Sequence, residues 1–328
     1  MPTLNELLHA ASRTFAIGID LLPEPLRSEI EVAYLLLRVS DYLEDNEEMP
    51  AARKAELLGR WASVVEGDAP VDALAPELEA AGEDTPDALV ARHVGQVHDG
   101  FRELRPEARG IVSRHVADST RGMARWAVRG PDIEHEADLD DYMHEVAGRV
   151  GWLLTELFAV DIPPLNRDRE EMMRLGREFG LALQTVNVVR GLHTDWERGW
   201  VYIPRSFLPA DGPEPGELFD GDAVGEGRRR RIELAVLDRL VEKSDRHLAA
   251  ARRYIAHIPR RHHGIRLFCL LPLLFAVRTL AVSRDNPRVF DEETKIGRDE
   301  VRRIVRDARL FGFSNRWIAW YCERLEAR

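Results

Sequence analysis

Residues 34–45 read Tyr-Leu-Leu-Leu-Arg-Val-Ser-Asp-Tyr-Leu-Glu-Asp. Apolar residues dominate its first half, as in a helix that lines an interior. Asp41, Glu44 and Asp45 follow at i, i+3 and i+4, the spacing that gathers three side chains on one helical face. Arg38 stands three residues before Asp41 on the same stripe. Carboxylates crowded in this way repel one another unless positive charge sits among them. Hard divalent cations such as Mg²⁺ take oxygen ligands, commonly one or two carboxylates together with substrate phosphates. A solvated helix end is the competing reading, because Asn46, Glu47 and Glu48 carry the acidic run onward. The apolar flank and the arginine favour a polar cavity.

Outward from this stretch the hydrophobic period stays helical. The spacing predicts helices near 3–10, 24–46, 51–65, 86–103, 106–129, 138–159, 167–196, 228–256, 264–283 and 298–326. Loops rich in Pro, Gly or acid fall at 66–86 and 208–227. There is no alternating strand pattern and no internal repeat. The expectation is an all-α fold, a single-domain helical bundle over residues 1–328. Asp138 or Asp140 is placed to cap the helix carrying Tyr142. Gly148 and Gly151 on that helix cost about 1 kcal/mol each relative to alanine, which points to close approach by another helix or by a bulky ligand.

Composition narrows the function classes. Hydrophobic residues make up 45% of the chain and charged residues 31%, as in ordinary globular domains. A net charge of −11 speaks against general nucleic-acid binding but leaves room for a local basic pocket. Cys269 and Cys322 are too few for a disulfide framework, so a reducing cytoplasm is the expected location. Residues 1–11 show no basic leader, and no wholly apolar run reaches the roughly 18 residues of a membrane span. Leu267–Val277, interrupted by Pro272, reads as a buried helix. Three lysines accompany 43 arginines, the skew of a GC-rich, bacterial genome.

A second stripe lies at Gln184–Asp195, Gln-Thr-Val-Asn-Val-Val-Arg-Gly-Leu-His-Thr-Asp. Asn187, Gly191 and Asp195 recur at i, i+4 and i+8, so Asn187 and Asp195 could offer oxygens to one cation. Arg190 could meet the same anion. An amphipathic helix end is again the plainer alternative, and Pro204 ends any continuation beyond Trp200-Val201-Tyr202.

Six segments in order resemble the squalene/phytoene synthase family, most closely its eukaryotic-type squalene synthases. Ser12-Arg13-Thr14-Phe15 is similar to the family's Ser-Arg-Ser-Phe. Tyr34, Arg38, Asp41, Glu44 and Asp45 match its first aspartate-rich motif in register. Tyr142 through Gly151 resembles Tyr-x-x-x-Val-Ala-Gly-x-Val-Gly, and Gln184, Asn187 and Arg190 resemble the lead-in to the second aspartate-rich motif. Phe268-Cys269-Leu270-Leu271-Pro272 is similar to Phe-Cys-x-x-Pro. Lys295 and Arg298 resemble a basic element near the phosphates of a nicotinamide cofactor.

The resemblance implies an isoprenoid synthase bundle with a central cavity and head-to-head condensation of two prenyl diphosphates, farnesyl diphosphate first among them. Mg²⁺ would be held by Asp41, Glu44 and Asp45, with Asn187 and Asp195 as the second set. Arg13, Arg38, Arg190 and Arg198 would pair with diphosphate. Tyr34 and Tyr142 would act with Asp41 and Asp45 at the reacting carbons. NADPH, held at Lys295 and Arg298, enters if the reductive half-reaction is retained, since no side chain supplies hydride. Transient contact with a membrane surface fits greasy products.

Two departures stand out. The family's Asp-x-x-Glu-Asp is here Gly191-Leu192-His193-Thr194-Asp195, which removes two carboxylates, and His193 lies off the stripe. Glu145 occupies a position where squalene synthases often carry an aromatic residue; it reads as a base, as a contact for a polar acceptor, or as a solvated surface residue. Three functions follow. The first is a head-to-head synthase giving presqualene diphosphate and squalene. The second is a prenyltransferase with a different, aromatic acceptor. The third is a non-catalytic isoprenoid-binding relative. Retention of Tyr34, Arg38, Asp41, Glu44, Asp45, Tyr142 and Arg190 argues against the third.

Overall fold

Apolar residues at helical spacing become helices along almost the whole chain. The computed structural model describes residues 1–82, 85–220 and 225–327, and the Arg13 side chain lies outside that description. In chain order the α-helices are α1 (Leu4–Ala11), α2 (Arg13–Ile19), α3 (Leu26–Asp45), α4 (Ala51–Glu66), α5 (Ala75–Glu79), α6 (Pro86–Ala91), α7 (Val94–Glu103) and α8 (Pro106–Arg129). They continue with α9 (Glu136–Met143), α10 (Arg149–Asp161), α11 (Arg169–Glu197), α12 (Glu226–His257), α13 (His263–Ser283), α14 (Arg298–Phe311) and α15 (Asn315–Glu326). No strand occurs among the described residues. A π-turn, His144–Gly148, joins α9 to α10.

The chain divides into two compact units. Met1–Gly130 and Gly148–Gly176 make the first, and Pro131–Ala147 and Arg177–Arg328 the second. In the first unit α3 packs against α1, α4, α6, α7, α8 and α10. Leu35, Leu36, Val39 and Leu43 bury one face of α3 without exposure. Trp61 of α4, equally buried, donates its indole N–H to the Leu36 carbonyl at 3.3 Å. Truncating a core tryptophan of this kind costs about 3–5 kcal/mol. Ser40 and Thr120 join α3 to α8 through a buried hydroxyl pair at 2.8 Å. A Cβ on Gly176 would sit 2.8 Å from the Gly151 carbonyl oxygen and closer still to the Thr155 hydroxyl. Of the two expected causes of the glycine spacing, close helix packing is therefore present at Gly151.

In the second unit α13 is the core and packs against α12, α14 and α15. It is the one helix among the described residues long and apolar enough to cross a membrane, yet 72% of its most apolar window is buried in protein. Pro272 lies inside it. Arg266 of α13 is fully buried. Its guanidinium donates to the Ile255 and Ile258 carbonyls, both at 2.8 Å, and to Asn315 Oδ1 at 2.5 Å. It thus adds a donor to carbonyls at the end of α12, where the Ile255 oxygen also accepts from the Ile258 N–H at 3.2 Å. Lys243 of α12 is also buried, its ammonium reaching Glu136 at 3.0 Å and Asp140. Cys269 and Cys322 are buried and free, and burial pushes the Cys322 thiol up to about 11.

Several expectations shift. The 86–103 segment breaks at Arg92–His93, and 298–326 breaks at Gly312–Ser314, where Ser314 accepts from the Trp317 N–H. α2 and the short α5 lie where no helix was expected. The helix bearing Tyr142 is capped by His135, not by Asp138 or Asp140. Asp138 instead reaches back from the third position to the His135 N–H at 2.8 Å, while Asp140 is taken by Lys243. Part of the 208–227 loop, residues 221–224, lies outside the described residues.

Candidate functional site

In the first unit the N-terminal motif and the first acidic motif meet. Ser12 caps α2 by accepting from the Phe15 N–H at 3.0 Å, and the Phe15 ring lies 5.9 Å from that of Tyr34. One turn on, the Arg38 guanidinium sits 5.4 Å from the Tyr34 ring centroid, within cation–π range. Arg38 pairs with Asp41 and donates to Asp87 at 3.2 Å, while its buried Nε finds no partner. Asp87 was not anticipated. The helix-start signature Thr85-Pro86-Asp87 was the available signal, with Thr85 accepting from the Ala88 N–H at 3.1 Å.

The stripe then changes character. The Asp41 side chain is 17% exposed, Glu44 is half-buried and Asp45 is exposed. Burial, then the neighbouring Asp45 charge, pushes the Glu44 carboxyl up to about 8, against the pull of Lys54. Lys54 donates to the Glu44 carbonyl at 2.6 Å and so closes the end of α3. No group of three or more His, Cys, Asp or Glu side chains among the described residues is arranged to hold a metal ion. The donor chemistry nevertheless suits a hard cation, being oxygens only, with Glu44 giving up its proton on binding. Asp41 would have to leave Arg38 to join them.

In the second unit the two motifs are less protected. Asn187 and Arg190 are exposed, and Asn187 only approaches Gln184, at 3.4 Å. A Cβ at Gly191 would lie 3.4 Å from Asp195 Oδ2, so the surviving carboxylate leans over the position where the family's first aspartate would begin. The Arg190 guanidinium approaches Glu293 at 4.0 Å, and the Arg190 carbonyl accepts from the Thr294 N–H at 3.1 Å. Lys295 pairs with the same Glu293 at 2.6 Å. Arg190 and Lys295 are thereby gathered around one acid. Arg298 is exposed at the start of α14, and Arg198 is exposed just past α11. His193 points elsewhere, with Nδ1 3.1 Å from the Phe290 carbonyl and its ring against Trp196 at 5.6 Å.

Tyr142 heads an aromatic stack. Its ring lies 4.8 Å from Tyr202 and 6.1 Å from Trp200, and it accepts a hydrogen bond from the Tyr202 hydroxyl at 2.8 Å. The π-turn begins two residues later. Such turns appear often at functional sites. Within it Glu145 is only 3% exposed, which rules out the solvated reading of that residue. Trp200 and Tyr202 were read only as a helix end. Their aromatic run was the overlooked signal.

Comparison with known proteins gives the family and the fold. The family model described as squalene/phytoene synthase matches residues 8–300. The chain is 26% identical to the squalene synthase of Schizosaccharomyces pombe over 92% of its own length and 63% of that enzyme's. It is 25% identical to the human squalene synthase, covering 94% of this chain and 69% of the human one. It thus spans about two thirds of the length of these relatives. A solved complex of TcSQS with a ligand aligns at TM-score 0.78 and 23% identity, over 92% of this chain and 84% of that one. The squalene synthase HpnC from Alicyclobacillus acidocaldarius aligns at TM-score 0.57 and 21% identity, over 87% of this chain and 92% of that one. Both share the all-α isoprenoid synthase fold.

Proposed function

The chain belongs to the squalene/phytoene synthase family, and from that premise we propose that it is a Mg²⁺-dependent prenyltransferase joining two farnesyl diphosphates head to head, to presqualene diphosphate and squalene. The observation that carries the reading is the α3 stripe, where Arg38 pairs with Asp41 and Asp87 and the raised Glu44 carboxyl stands beside Asp45.

An allylic diphosphate ionises when its leaving group is neutralised. Arg38 is suited to this, because a planar guanidinium matches phosphate oxygens in a bidentate way. Tyr34 holds that guanidinium on one side and Asp87 on another, so the fork is pre-oriented. Mg²⁺ held by Asp41, Glu44 and Asp45 would supply further neutralisation of the departing pyrophosphate. The carbocation left behind needs aromatic faces and little water. Within the second unit, the stack of Tyr142, Trp200 and Tyr202 is an aromatic surface of the kind such a cation requires, and the Tyr202 hydroxyl fixes the Tyr142 ring. Asn187, Asp195 and Arg190 form a weakened second set, carrying less charge than two further carboxylates would give.

A second reading, transfer to a different and aromatic acceptor, draws on one observation. Glu145, buried one turn beyond Tyr142, brings an acid into the motif where relatives often have an aromatic residue. The deciding experiment incubates the protein with farnesyl diphosphate and Mg²⁺, with and without NADPH, and identifies products by mass spectrometry. A C30 product is expected, presqualene diphosphate without NADPH and squalene with it. Consumption only when an aromatic co-substrate is added would select the second reading. Binding without consumption under every condition would overturn both.

A further inference from the structure

Seven large apolar side chains are exposed among the described residues, and four of them fall between positions 310 and 320. Leu310 is 58% exposed, Phe311 47%, Phe313 49% and Trp320 48%. They surround the turn between α14 and α15. Phe311 touches Trp317 at 5.8 Å, and Trp317 stacks on Tyr321 at 4.5 Å, so the patch rests on a packed aromatic base. Phe313 meets His263 at 6.5 Å, which anchors the turn to α13. These rings are therefore held out in place and are not a frayed end.

The rim is basic. Residues 298–327 carry seven arginines against five acids in a chain whose net charge is −11. Arg309 and Arg316 are exposed on either side of the turn, and the Arg324 guanidinium lies 5.3 Å from the Trp320 ring centroid. Aromatic rings with arginines beside them match the boundary between lipid headgroups and acyl chains. Basic residues near such a surface add to binding by attraction to anionic lipid. A second copy of this chain fits less well, because a two-fold contact would set the same arginine rims against each other.

We propose that the α14–α15 turn docks the protein onto an anionic phospholipid surface, with Leu310, Phe311, Phe313 and Trp320 entering the interface and Arg309 and Arg316 meeting the headgroups. The inference stands apart from the reading of the diphosphate site.

Co-sedimentation with vesicles tests it, using phosphatidylcholine alone and equal parts phosphatidylcholine and phosphatidylglycerol. The full chain should pellet with the mixed vesicles, should pellet far less with phosphatidylcholine alone, and should be released by salt. Arg309→Gln with Arg316→Gln should weaken binding roughly fivefold per arginine. Phe311→Ser, Phe313→Ser and Trp320→Ser together should abolish it with the circular dichroism spectrum unchanged. Should the triple variant fail to fold, Trp320→Ser alone serves, read as reduced quenching of tryptophan fluorescence by brominated lipid. Failure of the wild type to pellet with anionic vesicles would overturn the proposal. So would full binding by a folded patch variant, or a dimer in light scattering that the patch variant dissolves without any vesicle binding in the wild type.

Discussion

Two helical stripes, one on α3 and one on α11, were built on the same spacing and have come to opposite surroundings. On α3 every carboxylate survives, and the neighbourhood answers them. Arg38 takes Asp41, Asp87 holds Arg38 from the other side, and Lys54 closes the helix end. Burial first, and the Asp45 charge second, keep the Glu44 carboxyl protonated up to about 8. On α11 two of the motif's carboxylates are absent, and Arg190 approaches Glu293 beside Lys295. The difference is that Asp41 on α3 is answered by a cation of its own helix, whereas the cations near the α11 stripe face Glu293.

The comparison breaks most decisively at α3. Asp41→Ala or Asp45→Ala should lower turnover by about a thousandfold or more, as expected when stabilisation of a leaving group's charge is removed. Thermal melting should barely move, because neither side chain is part of the apolar core. Retained turnover in both variants would detach the stripe from the chemistry. Arg38→Gln should cost about a hundredfold in kcat/KM for the prenyl diphosphate, and more than Arg190→Gln, since Arg38 alone is pre-oriented by an aromatic ring and two acids.

Glu44 sharpens the contrast through pH. Its folded carboxyl titrates near 8 against an ordinary 4.5, so the folded state holds a proton that the unfolded chain releases. Folding stability should therefore fall as pH rises from the ordinary value through about 8, and should not depend on this group below that window. Metal affinity runs the other way, because a ligand must first lose its proton. Mg²⁺ binding, followed by calorimetry, should tighten with rising pH and level off above about 8, with proton release at neutral pH. Glu44→Gln should flatten that dependence. A flat profile in the wild type would mean that Glu44 is not a ligand.

The smallest effect belongs to α11. Gly191→Asp with Thr194→Glu should strengthen Mg²⁺ binding by about tenfold, within the range that supporting groups add to a metal site. Asp195 need move only a few tenths of an ångström to admit the new Cβ. An unchanged Mg²⁺ titration would show that the stripe does not address the metal.

Much of this was legible in the chain. Apolar period gave the long helices, and the i, i+3, i+4 carboxylates marked α3 before any coordinate. What escaped had non-local causes. Asp87 reaches Arg38 from 49 positions away, and no local pattern couples them. Trp200 and Tyr202 join Tyr142 across some 60 residues, although their aromatic run was visible. The helix α9 starts at Glu136, which puts His135 at the cap and leaves Asp140 inside the helix, where Lys243, a hundred residues on, takes it. The breaks at Arg92–His93 and Gly312–Ser314 escaped because the apolar period runs on across both.

The buried Arg266 carries a mechanical consequence. One guanidinium fastens the last carbonyls of α12 to the first residue of α15, from within α13. A lysine ammonium can also reach two partners, as Lys243 does, but it lacks the planar fork that aims separate N–H groups at α12 and α15 here. The C-terminal hairpin is thus riveted down, so any approach to lipid happens as a rigid plate touching down, without unzipping a helix. Adsorption should then be quick and fully reversible on dilution, and the same rivet would make the hairpin resist proteolysis until the whole second unit gives way.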